Sequence, residues 1–160
     1  MKVVSQKELK TIVDNVKIQG KKIVFTNGCF DIFHVGHLRY LQEAKKLGDI
    51  LVVAVNSDLS VKSLKGPTRP INNEADRMEL LAGLECVDYV TMFEETTAIN
   101  IVNFIKPDIY VKGGDIKMGK FAEYDTIISY GGRVEIIPLS VTQSRDYSTT
   151  NIINKSKGAK

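Results

Sequence analysis

The chain has almost no material for a covalent or metal-stapled framework. Its two cysteines, Cys29 and Cys86, lie far apart and show no CxxC spacing. A zinc site and a disulfide network are therefore not expected, and a reducing cytoplasm is the expected compartment. No apolar run approaches the roughly 20 residues needed to span a bilayer, so no membrane partner is expected. The start, Met1-Lys-Val-Val-Ser-Gln-Lys-Glu8, turns polar at once and holds no signal-peptide core. Net charge is low as well, at +3, which is too little to argue for a nucleic-acid partner. No serine sits in a GxSxG elbow, no GxxxxGK[ST] phosphate loop is present, and no cysteine–histidine or carboxylate pair suggests hydrolysis.

What is present suits an ordinary globular protein. With 160 residues, 43% hydrophobic and 26% charged, one domain spanning residues 1–160 is expected. It would comprise an N-terminal helix within residues 1–19 and a solvated basic tail over 155–160, carrying Lys155, Lys157 and Lys160. Ser5 and Glu8 form a capping box ahead of Leu9, Ile12, Val13 and Val16, so a first helix is predicted from Ser5 to Val16. Strands are predicted over 22–26, 50–55, 87–93, 108–112 and 133–137. Between them fall a helix with Leu38, Leu41, Ala44 and Leu47 on one face, a short helix or turn over 57–64, and helices over 73–85, 97–105 and 121–130. The segment from Lys65 to Ile71 reads as loop, because its two prolines forbid regular structure. Apolar strands alternating with helices imply a parallel α/β sheet covered on both faces. Ligands of such sheets bind beyond the carboxyl ends of the strands.

Polar segments stand at those ends: Asn27-Gly28-Cys29-Phe30-Asp31, Asn56-Ser-Asp58, Phe93-Glu-Glu-Thr-Thr97, Lys112-Gly113-Gly114-Asp115 and Ser140 to Ser148. The two histidines, His34 and His37, stand three residues apart at a predicted helix start, where free N–H groups favour anions. Gly36 between them permits close approach of backbone and phosphate. Asp31 either orients a ligand group or braces the turn. Lys62, Lys65 and Arg69 form a basic cluster suited to anionic substrates. Arg77 stands early in a helix, where a cation is disfavoured by the dipole; an anionic ligand or a salt bridge would answer it. Ser148-Thr149-Thr150-Asn151 precedes Ile152 and would present hydroxyls to phosphate. Charge stabilisation and positioning are the chemistry on offer, which suits phosphoryl or nucleotidyl transfer.

In order, Asn27-Gly-Cys-Phe-Asp31, His34-Val-Gly-His37, Ala54-Val-Asn-Ser-Asp58, Lys65-Gly-Pro-Thr-Arg-Pro70, Arg77-Met, Lys112-Gly-Gly-Asp115 and Ser148-Thr-Thr-Asn-Ile152 resemble the HxGH nucleotidyltransferase superfamily. More narrowly, they are similar to the cytidylyltransferase-like enzymes that activate D-glycero-D-manno-heptose 1-phosphate, in a form without an attached sugar kinase. The resemblance covers about residues 20–155. It implies a Rossmann-like, doubly wound five-stranded parallel sheet, and a reaction joining a sugar 1-phosphate to a nucleoside triphosphate with loss of pyrophosphate. ATP is the expected donor, with guanylyl transfer to the same sugar, or cytidylyl transfer to glycerol 3-phosphate or another alcohol phosphate, as alternatives. A catalytically silent nucleotide sensor belongs to a different class, and the intact histidine pair and Lys65 weigh against it. By matching position, His34, His37, Lys65 and Arg77 would be catalytic. Asn27, Gly28, Cys29, Phe30, Asp31, Gly36, Asn56, Asp58, Lys112, Gly113, Gly114, Asp115, Ser148, Thr149 and Thr150 would hold the nucleotide. Asp31, Lys65 and Arg69 would contact the sugar phosphate. Mg2+ would travel with the triphosphate without a protein cage of its own, and a homodimer is the expected assembly. The segment from Lys117 to Glu123 matches no substrate pattern, which leaves the sugar and its anomer open.

Overall fold

Every predicted strand forms, and in the predicted order. The structure, a computed structural model, describes residues 2–114, 116–138, 140, 152, 153, 155 and 156. Helix α1 (Gln6–Ile18) starts through the expected capping box: the Ser5 hydroxyl accepts the Glu8 amide, and the Glu8 carboxylate accepts the Ser5 amide. Then follow β1 (Ile23–Gly28), α2 (Val35–Lys45), β2 (Ile50–Asn56), α3 (Asp58–Lys65) and α4 (Glu74–Ala82). The chain continues through β3 (Tyr89–Phe93), α5 (Ile99–Ile105), β4 (Ile109–Gly113), α6 (Tyr124–Ser129) and β5 (Arg133–Ile137).

All strand pairings are parallel, and the spatial order is β3-β2-β1-β4-β5. The chain winds from β1 outward to β3, crosses back, and continues from β4 to β5. Right-handed crossovers then place the helices of the two halves on opposite faces. One core packs Tyr40, Leu41 and Ala44 of α2 and Leu81 of α4 against Val24, Val53 and Val111. The other packs Leu9 and Val13 of α1, Ile101 and Val102 of α5, and Ile127 of α6 against Phe25, Ala54 and Tyr110. Strand alternation explains the division, since neighbouring residues of β1 point to opposite faces. At the β3 edge the N-terminal segment adds a short parallel bridge. Val4 donates to the Val90 carbonyl and Val90 to that of Lys2, each at 2.9 Å.

Element boundaries differ from expectation in places that matter for the site. Helix α2 begins at Val35 with His34 as its N-cap, so His37 lies inside the first turn instead of ahead of it. Tyr40, not Leu38, is the buried companion of Leu41 and Ala44, because Gly36, Tyr40 and Ala44 share one face at four-residue steps. The stretch after β2 is a two-turn helix capped by the Ser57 hydroxyl, and it carries Lys65 on its last turn instead of in the loop. Asn73 caps α4 as predicted, but the helix stops at Ala82, with Gly83 as C-cap. Strand β3 starts two residues late, where the Asp88 carboxylate instead takes the Leu51 amide and the Lys45 ammonium.

Candidate active site

The sheet reverses its winding between β1 and β4, which opens a crevice beyond their carboxyl ends. The β1–α2 turn passes over it. Phe30 holds a left-handed backbone, φ 46°, and its ring lies against Gly28, where a Cβ would come within 3.1 Å of it. The turn delivers the chain to His34 in extended geometry, φ −143° and ψ 168°, and α2 starts immediately after.

The His34 and His37 rings are stacked, centroids 3.8 Å apart and planes 23° apart. Phe33 stacks on His37 at 5.5 Å, and Phe30 meets its edge at 5.3 Å. Burial, followed by the neighbouring His34 and the Lys65 charge, pulls the His37 pKa down to about 3. Burial also lowers that of His34. Both rings are therefore neutral near pH 7, each with one N–H donor. Both Nδ1 atoms are buried without a hydrogen-bond partner. Two unsatisfied imidazole nitrogens beside a helix N-terminus fit the oxygens of a polyphosphate. Gly36 is buried in the same turn. Lys65 and Lys62 are exposed, and among the described residues neither has an ion pair or a side-chain hydrogen bond, so both charges are free for an anion.

Several expected ligand contacts are instead internal. Arg77 is 2% exposed, and its guanidinium donates to the carbonyls of Asn72, Cys29 and Asn56 and to the Asp58 carboxylate. It joins the ends of β1 and β2 to α4, and its ion pair with Asp58 is the salt bridge that the sequence left open beside an anionic ligand. Asp31 likewise braces the turn. Its side chain is wholly buried, ion-paired with Arg69, and accepts the amides of Ile71 and Asn72 at 2.7 and 3.1 Å. Burial opposes ionisation of Asp31, but those amides and the Arg69 guanidinium outweigh it and hold the carboxyl below the usual carboxylate range. Arg69 is the ion-pair partner, and its Nη2 is buried without a hydrogen-bond partner. Asn56 is buried and donates to the Ser60 hydroxyl at 3.0 Å, and Cys29 Sγ lies 3.9 Å from Asn56 Oδ1.

On the other face of the crevice, Asn27 Oδ1 accepts the Tyr110 hydroxyl and, at 3.4 Å, the Lys112 ammonium. That ammonium stands 3.6 Å from the Glu123 carboxylate and over the rings of Tyr110 and Phe121, at 5.4 and 5.8 Å. Glu123 is 4% exposed, and its other oxygen accepts the Ala98 amide. Gly113 meets the Tyr40 ring so closely that a Cβ there would lie 2.9 Å away. The Tyr40 hydroxyl donates to the Val111 carbonyl at 2.9 Å and accepts from Thr26 at 2.7 Å. Gly114 follows directly, while Asp115, Ser148, Thr149 and Thr150 lie outside the described residues.

Tyr40, Asn72 and Glu123 escaped the sequence reading. Tyr40 had a usable signal, being three residues after His37 on the same helix. Asn72 and Glu123 had none, since each acts across a tertiary contact. Among the described residues no three His, Cys, Asp or Glu side chains converge as a metal site, and no helix is long and apolar enough to cross a membrane.

The chain is similar to known proteins. The cytidylyltransferase-like family model matches residues 25–155. The bifunctional protein HldE of Geobacter metallireducens is 51% identical over 147 residues, covering 92% of this chain and 29% of that protein. HldE of Hahella chejuensis is 49% identical over 148 residues, covering 92% and 30%. The chain thus spans under a third of the length of these curated relatives. Among solved structures, a lipopolysaccharide core biosynthesis protein from Thermoplasma volcanium is 38% identical with a TM-score of 0.61, covering 74% of this chain and 96% of that one. A pantoate-beta-alanine ligase from Francisella tularensis, complexed with beta-gamma ATP and beta-alanine, shares the fold at 15% identity and a TM-score of 0.59, covering 98% of this chain and 77% of that one. The stacked histidine pair, the crevice at the reversal of the sheet and these matches agree: the chain belongs to the cytidylyltransferase-like family, on a Rossmann-like fold.

Proposed function

We propose that the protein transfers an adenylyl group from ATP to D-glycero-D-manno-heptose 1-phosphate. The observation that carries the transfer chemistry is the neutral, stacked histidine pair with two buried nitrogens unsatisfied at the start of α2. The heptose draws on the seven ordered motifs, the similarity to HldE and the lipopolysaccharide core biosynthesis neighbour. A phosphate oxygen of the sugar 1-phosphate attacks the α-phosphorus in line. The bond from that phosphorus to the bridging oxygen breaks, and pyrophosphate leaves with its electron pair. The acceptor is already largely dianionic at neutral pH, so no general base is required.

His34 and His37 donate to phosphate oxygens as charge develops on them, which is worth most in a preorganised, water-poor site. Lys65, from the end of α3, neutralises the incoming phosphate. Ser148, Thr149 and Thr150 would hold the β- and γ-phosphates. The donors present suit Mg2+ carried by the triphosphate, held through phosphate oxygens and water, because Asp31 is already engaged by Arg69 and two amides. Bound there, the ion would offset charge on the leaving pyrophosphate. The whole would work as a homodimer in the cytoplasm.

Purified protein with Mg2+, heptose 1-phosphate and each of ATP, GTP and CTP is expected to release pyrophosphate fastest with ATP. A CTP-only profile with glycerol 3-phosphate would establish the alcohol-phosphate alternative, and no release with any pair would reject the transfer.

A further inference from the structure

The crevice has two walls, and only one is explained by a triphosphate. Residues 24 and 26 of β1 face α2 and the histidines, while Phe25 and Asn27 face the opposite core. Lys112 sits beside Asn27 on that opposite wall, at the strand pair where the sheet reverses. Its side chain is 19% exposed, and its ammonium has three donors. Its two oxygen partners stand at 3.4 and 3.6 Å, well beyond the roughly 2.7–2.9 Å of a strong charge-assisted bond. Packed over two aromatic rings, the amine keeps donor capacity that the described residues do not use.

The environment also indicates what kind of ligand would take it. Lys112 faces the Glu123 carboxylate, so the local charge is close to balanced, whereas Lys62 and Lys65 across the crevice face no carboxylate among the described residues. A phosphate dianion is better served by the unpaired lysines. An amine whose charge is already balanced by a buried carboxylate suits the oxygen of a neutral hydroxyl better than a second anion.

We propose that Lys112 reads hydroxyl groups of the sugar acceptor, and that Glu123, acting through Lys112, is its positioning residue. This rests on the sugar 1-phosphate reading above, and it moves Lys112 from the nucleotide to the acceptor. Glu123 binds the amide that starts α5 with one oxygen and aims Lys112 with the other, so the subsite joins β4, α5 and α6.

Binding of heptose 1-phosphate, methyl phosphate and ATP is measured on the full chain by calorimetry, beside steady-state kinetics. The sugar is expected to bind wild-type protein at least about tenfold more tightly than methyl phosphate, and Lys112→Met to remove that advantage. Its ATP and methyl phosphate affinities should stay within about twofold of wild type. Glu123→Gln keeps an acceptor for the Ala98 amide, and should raise the KM for the sugar while leaving kcat and the KM for ATP near wild type. Urea midpoints of both variants exclude misfolding as the cause. Lys112→Met losing ATP affinity instead, or leaving sugar affinity unchanged, overturns the subsite, as does wild-type protein binding the sugar no tighter than methyl phosphate. Turnover without hydroxyl discrimination rejects the subsite and leaves the reaction standing. Hydroxyl-dependent binding without pyrophosphate release does the reverse.

Discussion

Two neutral imidazoles stacked at 3.8 Å are a costly arrangement for an apo protein. Each buries a ring nitrogen without a partner, and the second ring stays neutral down to about pH 3. That strain is reasonable if a polyanion completes the site. Replacing His37 with Ala should therefore lower kcat on the order of 10²-fold, as for other lost transition-state donors; stopped-assay pyrophosphate release measures it, and a loss under about threefold in both single histidine variants would refute the assignment. The same burial has a consequence for stability. The unfolded chain takes up protons on these rings near the ordinary imidazole value of 6.5, whereas folded His37 does so only near 3. Below that upper value the unfolded state binds more protons, so unfolding free energy falls as pH drops through this window. Urea midpoints between pH 7 and 5 should decline, and His37→Asn should flatten the decline. Asp31 is displaced in the same direction: its folded pKa is depressed, so its contribution is present above the normal carboxylate range and is lost at lower pH, below the histidine window.

Elements are held to one another at the site by two side chains that emerge from unremarkable sequence. Arg77 reaches two strand ends from α4, and Asp31 reaches the α3–α4 loop from the β1–α2 turn. Arg77→Met leaves the buried carbonyls of Cys29 and Asn56 without their donor, and should destabilise the fold by about 3 kcal/mol. Arg77→Lys should recover less than half of that, because a point-like ammonium does not span a planar fork's three directions. Chemical denaturation of both variants decides it, and equal stability of Arg77→Lys and wild type would dismiss the bracing role. Local signals were readable in advance: the Ser5–Glu8 box, the Asn73 cap and the alternating strands each depend on residues within a few positions. The histidine turn was readable for the same reason. Arg77 was legible only as an anomaly, a cation at the wrong end of a helix, since two of its three carbonyl partners lie 48 and 21 residues away. Lys112 could be placed at a strand end but not on a wall of the crevice, because its facing depends on which strand lies beside β4.

At the scale of the molecule, the winding of the sheet decides what the site has available. One reversal places β1 beside β4 and sends α2 and α6 to opposite faces, so histidines and Lys112 approach the same opening from different cores. The outer edge at β3 is covered by the N-terminal segment, whose Lys2 carbonyl and Val4 amide satisfy the backbone of Val90, which would otherwise invite a foreign strand. Removing residues 2–4 should lower stability and promote self-association; light scattering after size separation tests this, and unchanged mass distribution and urea midpoint would show the edge needs no cover. The Gly113–Tyr40 contact gives the two walls a common gauge. Tyr40 hangs from α2 behind the histidines, touches Gly113 with its ring and holds β1 and β4 through its hydroxyl. A single methyl at residue 113 therefore acts as a wedge: it forces the ring away, and with it the helix that carries His37. The spacing of the two walls thus leans on a residue that has no side chain.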